Sequence, residues 1–247
     1  MLSIPTTLEE ATAQGKASAQ TALESGFGIV AVEINVPEIA LQAQTIALEF
    51  TKLFESYGSG LKVLFPDTGA AALARRDWAE IEFKVTDLGS RVSSVETRVA
   101  EDDEIFLIVS PSAVEVAQVE KLCNLAGDRP VVLLLPQLED VSVVGIGYAA
   151  RQLRDRFISK IETAYYYKPI DGGAIIRAFP SLWEVQLDTE NGGYTLIASE
   201  PTKPMGDTLD ILINQATKGD SNNEVTAKPK KRGVLGSLQQ FLKALSQ

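Results

Sequence analysis

The sequence predicts a single α/β domain on a mixed, Rossmann-like sheet, with a parallel amino-terminal part, an antiparallel carboxyl-terminal meander and helices on both faces. Three observations carry this. Residues 105–109 and 131–135 are continuous apolar runs, and residues 61–65 form a strand that is apolar but for Lys62, the signature of strands buried on both faces. Segments with helical apolar spacing separate them, which is the alternation that builds parallel sheets. Beyond residue 160 the pattern changes to four strand-like runs. Asp171-Gly172-Gly173 and Glu190-Asn191-Gly192-Gly193 punctuate them, as tight turns do in hairpins.

In chain order, residues 7–25 read as a helix. Thr7 can cap it, Glu10 stands three residues on as in a capping box, and Gly26 can end it. Residues 28–35 follow as a strand. Pro37 suits a first helical turn. Ile39, Leu41, Ile46, Phe50, Leu53 and Phe54 then supply the apolar positions of a long helix stopped near Gly58. The strand at 61–65 runs into Pro66-Asp67-Thr68-Gly69 and a short alanine-rich helix ending near Arg75-Arg76-Asp77. Residues 80–85 alternate as a half-exposed strand. Residues 86–103 are polar and weakly patterned, which reads as a long, mobile loop. The strand at 105–109, a helix over 112–125 and the strand at 131–135 come next. A loop after Pro136 leads to a helix from about 146 to 159.

The runs at 161–167, 173–179, 182–188 and 193–199 form the meander, which extends the same sheet. A helix at about 206–217 closes the globule, so the domain spans residues 1–217. Residues 218–233 are a flexible basic linker by composition. Residues 234–247 resume as an amphipathic helix with Val234, Leu235, Leu238, Phe241, Leu242 and Leu245 on one face.

Composition narrows the chemistry. The chain has no histidine, which excludes Ser-His-Asp and Cys-His machinery, His-ligated zinc and histidine proton shuttles. Catalysis on carboxylates with Mg²⁺ stays open, but no catalytic constellation, metal spacing or cofactor motif stands out. A non-enzymatic role with no cofactor and no metal is therefore expected. The single cysteine, Cys123, lies in a helical pattern and reads as a small core residue. The formal charge of −10 repels nucleic-acid phosphates, so no nucleic-acid partner is expected. There is no signal-peptide pattern at the start, and no apolar stretch approaches the roughly 20 residues of a membrane-spanning helix.

Several candidates emerge for binding. The tail carries Lys228, Lys230, Lys231, Arg232 and Lys243 and no acid. Lys230, Lys231 and Arg232 with Leu238, Phe241 and Leu242 could dock on an anionic membrane surface, in a groove on a partner or back on their own domain. Arg151 and Arg154 sit with Arg156 and Lys160 on one helix. They make either an anion- or partner-binding face or a solvated face paired with Asp155 and Glu162. Asp67 lies where ligands sit in open α/β sheets, and also where an aspartate caps a helix. Arg75, Arg76 and Trp78 could clamp a ligand or partner, or form an ordinary surface turn. In Tyr165-Tyr166-Tyr167 the middle ring faces away from its neighbours. With Trp183 it offers an aromatic interaction patch or plain cross-strand packing. Gly145-Ile146-Gly147 resembles part of a dinucleotide fingerprint but lacks the third glycine.

Some segments carry a family likeness when taken in order. They are residues 64–78 (Leu-Phe-Pro-Asp-Thr-Gly-Ala-Ala-Ala-Leu-Ala-Arg-Arg-Asp-Trp), Gly127-Asp128-Arg129-Pro130 with the apolar run to Pro136, Val144-Gly145-Ile146-Gly147-Tyr148 with Arg151 and Arg154, Tyr165, Arg177-Ala178-Phe179-Pro180 and Trp183-Glu184-Val185. Together they resemble the domain-of-unknown-function family of cyanobacteria and chloroplasts that includes the plant low photosystem II accumulation 3 protein. The likeness spans about residues 5–215. It implies a photosynthetic organism and a cytoplasmic protein peripheral to the thylakoid membrane. It also implies a role in photosystem II biogenesis, with photosystem assembly proteins or subunits as partners. No catalytic residues carry over. Leu135 stands where the family pattern suggests a more polar residue, and Gln137 where it suggests a basic one, so an anion contact at that turn is not implied here. Three readings follow: an assembly factor acting by protein binding, a nucleotide- or anion-binding domain with phosphoryl-transfer activity, and a scaffold that oligomerises through the meander's edge strand.

Overall fold

The structure is a computed structural model, and the residues it describes are 1–78, 80–89, 94–138 and 148–219. The first helix, α1 (Leu8–Glu24), begins as expected: the Thr7 side chain accepts from the Glu10 amide at 3.1 Å. The Glu10 carboxylate reaches one residue further back than a capping box requires. It accepts from the Thr6 amide at 2.7 Å and from the Thr6 hydroxyl at 2.9 Å. These bonds hold its acid strength above that of an ordinary glutamate. The inner face of α1 is made of small residues, Ala11, Gly15, Ala19 and Ala22. They let the helix lie close on the sheet: a Cβ on Gly15 would come within 2.9 Å of Val32 Cγ1.

β1 (Ile29–Ile34) follows, then α2 (Ala43–Thr51), β2 (Leu61–Phe65), α3 (Thr68–Asp77), β3 (Lys84–Asp87) and β4 (Ile105–Val109). α4 (Val116–Ala126), β5 (Val131–Leu134) and α5 (Tyr148–Arg156) complete the parallel half. β6 (Glu162–Ile170), β7 (Gly173–Ala178), β8 (Trp183–Asp188) and β9 (Tyr194–Glu200) form the meander, and α6 (Asp207–Gly219) ends the described chain.

All nine strands join one sheet in the order β3-β2-β4-β5-β1-β6-β7-β8-β9. Pairing is parallel from β3 to β6 and antiparallel from β6 to β9. The mixed α/β architecture is as the sequence predicts. The order differs from that of dinucleotide-binding domains, where the first strand lies beside the second; here β1 lies between β5 and β6.

Two cores sandwich the sheet. One face packs α1, α2 and α3 against Val32, Ile34, Val63, Leu107 and Tyr165. The other packs α4 and α5 against Leu64, Ile108, Leu133 and Ala31. Those last four occupy one row across the sheet, Leu64 beside Ile108, Ile108 beside Leu133 and Leu133 beside Ala31. Burying each such side chain stabilises the fold by about 1.5–3 kcal/mol. A third, smaller cluster of Tyr166, Ile175 and Trp183 lies under Leu209 of α6.

Three expectations need correction. The long helix before Gly58 is broken: 3₁₀ segments at Ile39–Gln42 and Lys52–Gly60 flank α2, and Phe54 leaves helical geometry at φ −117° as its ring enters the core. The strand placed at 80–85 begins only at Lys84. Ile81 and Phe83 pack on the core as loop residues, with the Phe83 ring 5.9 Å from Trp78. The loop at 86–103 is tied down at both described ends. Asp87 accepts from the Gly89 amide at 2.8 Å and pairs with Arg98 at 2.9 Å. Asp103 takes Lys62 Nζ at 2.6 Å, Lys84 Nζ at 2.9 Å and the Ala100 amide at 2.7 Å. Arg129 adds bonds to the carbonyls of Ala100 and Asp103 while holding those of Leu125 and Ala126 at the end of α4. Among the described residues of this segment, polarity marks ion pairing.

Candidate functional site

The carboxyl ends of three neighbouring strands, β1, β5 and β4, open into a cleft of about 110 Å³. This edge of an open α/β sheet is where ligands commonly bind. Glu33, Asn35, Ser110, Ser112, Leu135 and Gln137 supply much of the lining. The backbone turns sharply here. Ser110 and Leu135, the first residues past β4 and β5, have φ of 49° and 54°, and Glu38, beside the lining residues Ile39 and Ala40, has φ of 61°. The left-handed region costs a residue with a Cβ about 1 kcal/mol or more, yet three of these turns surround one cleft.

Hydrogen bonds keep the strand ends in place. The Ser110 amide donates to the Leu134 carbonyl at 2.7 Å, the Leu135 amide to the Val32 carbonyl at 2.8 Å, and the Asn35 amide to the Tyr167 carbonyl at 2.8 Å. Ser112 caps the following turn, its hydroxyl 2.6 Å from Glu115 Oε2. Among the described lining residues, two side-chain atoms are buried and without a hydrogen-bond partner, Asn35 Nδ2 and Ser110 Oγ. The Glu33 carboxylate pairs with Lys203 Nζ at 3.2 Å.

Lys203 connects the cleft to the aromatic cluster. Its Nζ lies 3.9 Å from the Tyr166 ring centroid and 5.5 Å from that of Trp183. Tyr166 and Trp183 pack at 5.0 Å with their rings tilted by 60°, and Arg177 lies 5.4 Å from the Trp183 ring on the way to its partner Glu162. Burial first, and the Glu33 charge second, push the Tyr166 phenol well above its ordinary range, so it stays a neutral hydrogen-bonding group at all moderate pH.

The sequence-predicted candidates are dispersed. Asp67 stands exposed at the carboxyl end of β2 and caps α3, accepting from the Ala70 amide at 2.9 Å. Arg75 donates to the Val85 carbonyl at 3.0 Å, and Arg76 pairs with Asp77 at 2.7 Å. Both lie near the far end of α3, eight and nine residues on from Asp67, or about 12–14 Å along the helix. Trp78 is buried between Phe65 and Phe83, at ring distances of 5.7 and 5.9 Å. Arg151 is exposed on α5, and Arg154 is half-buried and interacts with its surroundings.

Arg156 on the same helix makes two bonds to Glu120, at 2.6 and 2.8 Å, so its partner is on α4 and not Asp155 or Glu162. Since α3 and α5 cover opposite faces of the sheet, the two arginine groups do not meet. Trp183 is buried in the small cluster. The glycine pair 145 and 147 lies outside the described residues, as do the tail residues Lys230, Lys231, Arg232, Leu238, Phe241 and Leu242.

The cleft itself was missed at Glu33, Asn35, Ser110 and Ser112. The signal was present: each lies at or within three residues of the carboxyl end of an apolar strand, the same rule that singled out Asp67. Among the described residues, no three His, Cys, Asp or Glu side chains are grouped to hold a metal ion, and no helix is long and apolar enough to cross a membrane. Residues 5–211 match the family model of a domain of unknown function (DUF1995).

Proposed function

The chain belongs to the DUF1995 family of domains of unknown function, and from that premise we propose that it is a non-enzymatic accessory factor working by protein binding. Its setting in this reading is the thylakoid surface during photosystem II biogenesis, and its partners are photosystem assembly proteins or subunits. The carrying observation is the open end of the sheet. β9 pairs only with β8 among the described strands. Its seven residues include one charge, Glu200. Natural edge strands are usually guarded by charge, proline, a β-bulge or a covering segment; β9 carries one charge and a bulge at Ile197, and the remaining open edge can accept a partner's strand. Leu182, Leu196, Met205 and Ile211 are exposed on the elements at this same end.

The basic tail complements this surface. Without residues 228–247 the chain carries 18 basic and 33 acidic residues, so the tail is the part suited to an anionic membrane. A pull-down from solubilised thylakoid membranes tests the reading. The substitutions Thr195→Lys and Leu196→Lys together should abolish recovery of the partner while the melting temperature stays unchanged. Removing residues 228–247 should lower recovery in the membrane fraction. Unaltered recovery in both cases overturns it.

The alternative, nucleotide or anion binding, would draw on Asp67 and the arginines at 75, 76, 151 and 154. Their placement on opposite faces and at opposite ends of a helix gives that reading less support than the open sheet edge gives the first.

A further inference from the structure

We propose that the carboxyl-terminal segment 234–247 docks along α6 in the free protein, antiparallel to it, and covers the apolar stripe of that helix. Leu209, Leu212, Ile213 and Ala216 recur at the spacing of one helical face. In a globular domain such a stripe is buried, because packing of the apolar face supplies most of a helix's stability. Each of α1 to α5 obeys this, with Ala11, Phe50, Ala71, Leu122 and Leu153 buried in turn. Along residues 207–217 of α6 no side chain is buried. The four stripe residues are half-buried, Leu209 packs on the cluster of Tyr166 and Trp183, and Ile211 beside them is 54% exposed. The sheet therefore covers this helix in part, and one flank of its stripe stays open.

Charge and length select the occupant. Asp207 and Asp210 stand in the first turn of α6, and without residues 228–247 the chain carries 18 basic and 33 acidic residues. An anionic membrane or a second acidic body is repelled at such a surface. Residues 228–247 have five basic side chains and no acid, and Leu238, Phe241, Leu242 and Leu245 repeat the spacing of the α6 stripe. Residues 220–233 tether the segment. A polar chain of that length spans about 20 Å on average, as much as the 13 residues of α6 cover, so the whole helix is within reach. Counted in equal steps back from 219 and forward from 234, Lys243 comes level with Asp210 and Phe241 with Leu212. The antiparallel direction thus joins opposite charges, whereas the parallel one carries Lys243 away from both aspartates. The tether also keeps the segment at an effective concentration of the order of millimolar. Docking uses the apolar face that a membrane would take, so the two compete. The docking stands on its own, and the competition rests on the proposed affinity of the tail for anionic lipid.

The test is paramagnetic broadening in the full-length ¹⁵N-labelled chain with a nitroxide on Ser246→Cys; Cys123 is buried and stays unlabelled under native conditions. The amides of residues 207–212 should broaden strongly, and those of 84–87 at the other edge of the sheet should not. Phe241→Lys with Lys243→Glu, which leaves the folded body untouched, should abolish the broadening, and so should Leu212→Gln with Ile213→Gln. The second pair should also raise recovery of the chain on vesicles of anionic lipid several-fold at physiological salt, because the tail is released. Absent broadening, broadening centred on residues 214–217, or broadening that survives both pairs of substitutions overturns the proposal. Broadening between separately labelled chains overturns it too, by making a second copy the occupant. Vesicle recovery unchanged by release of the tail overturns the competition. If residues 207–212 broaden and no form of the chain binds vesicles, the membrane reading falls and the docking stands.

Discussion

Asp103 is only 1% exposed yet charged, so its neighbours decide what it does to stability. Burial alone would raise its pKa. The bonds from Lys62, the Ala100 amide and Lys84 outweigh burial and hold the carboxyl below the usual aspartate value. A folded value below the unfolded one means the contribution is present above the unfolded pKa of about 3.9 and is lost as pH falls through the folded value. Stability in urea should therefore drop as the pH is taken from 5 to below 4. Asp103→Ala should cost about 3–5 kcal/mol at pH 7, because it leaves the Lys62 ammonium buried without its counter-ion, and should flatten that acid limb.

Cys123 makes the opposite case. Burial pushes its thiol up to about 12, so a disulfide-exchange reagent at pH 8 should label it only at the rate of unfolding. A fast native-state reaction would show that it is accessible. The apolar surroundings of Cys123 were legible from helical spacing. The ion pairs of Asp103 were not, because Lys62 and Asp103 are 41 residues apart and only the pairing of β2 with β4 brings them together.

At the scale of elements, the strand ends were the readable part and the pairings were not. β4 and β5 match their apolar runs because strands buried on both faces tolerate little else, and β2 admits Lys62 only with Asp103 as its partner. The alternation at 80–85 misled because Ile81 and Phe83 pack half-buried on the core, Phe83 against Trp78, without joining the ladder. The glycines after Asp171 do more than turn the chain. Gly172 has φ of 71°, and a Cβ on Gly173 would fall 2.1 Å from the Gln186 carbonyl oxygen of β8. The backbones of β7 and β8 therefore approach at a point where no side chain fits. Gly173→Ala should destabilise the domain by about 1–3 kcal/mol, the usual penalty of overpacking, read as a lower denaturant midpoint. Gly172→Ala should also destabilise, through its φ. If Gly173→Ala left the midpoint unchanged, the β7–β8 register would be other than described.

Across the whole molecule the charge is unevenly shared. The tail from Lys228 carries five basic residues and no acid, against the chain's net −10. Attraction between such a tail and an anionic surface is screened over about 8–10 Å at physiological salt. Recovery of the full chain on vesicles of anionic lipid should accordingly fall several-fold between 50 and 500 mM salt, and should be weak on zwitterionic vesicles at either. Salt-independent binding would point to apolar insertion by Leu238, Phe241 and Leu242 instead.

The amino-acid sequence by itself determined the class of fold, the division into a parallel half and a meander, the helix cap at Asp67 and the chemistry closed to a chain without histidine. These are local properties, written in spacing and residue type over a few turns or strands. Strand order, the placement of the two arginine groups on opposite faces and the cleft of Asn35 and Ser110 were decided only by tertiary structure. Each depends on which strands become neighbours. That choice comes from closing two apolar faces at once over the full length of the chain, and no short window of residues contains it.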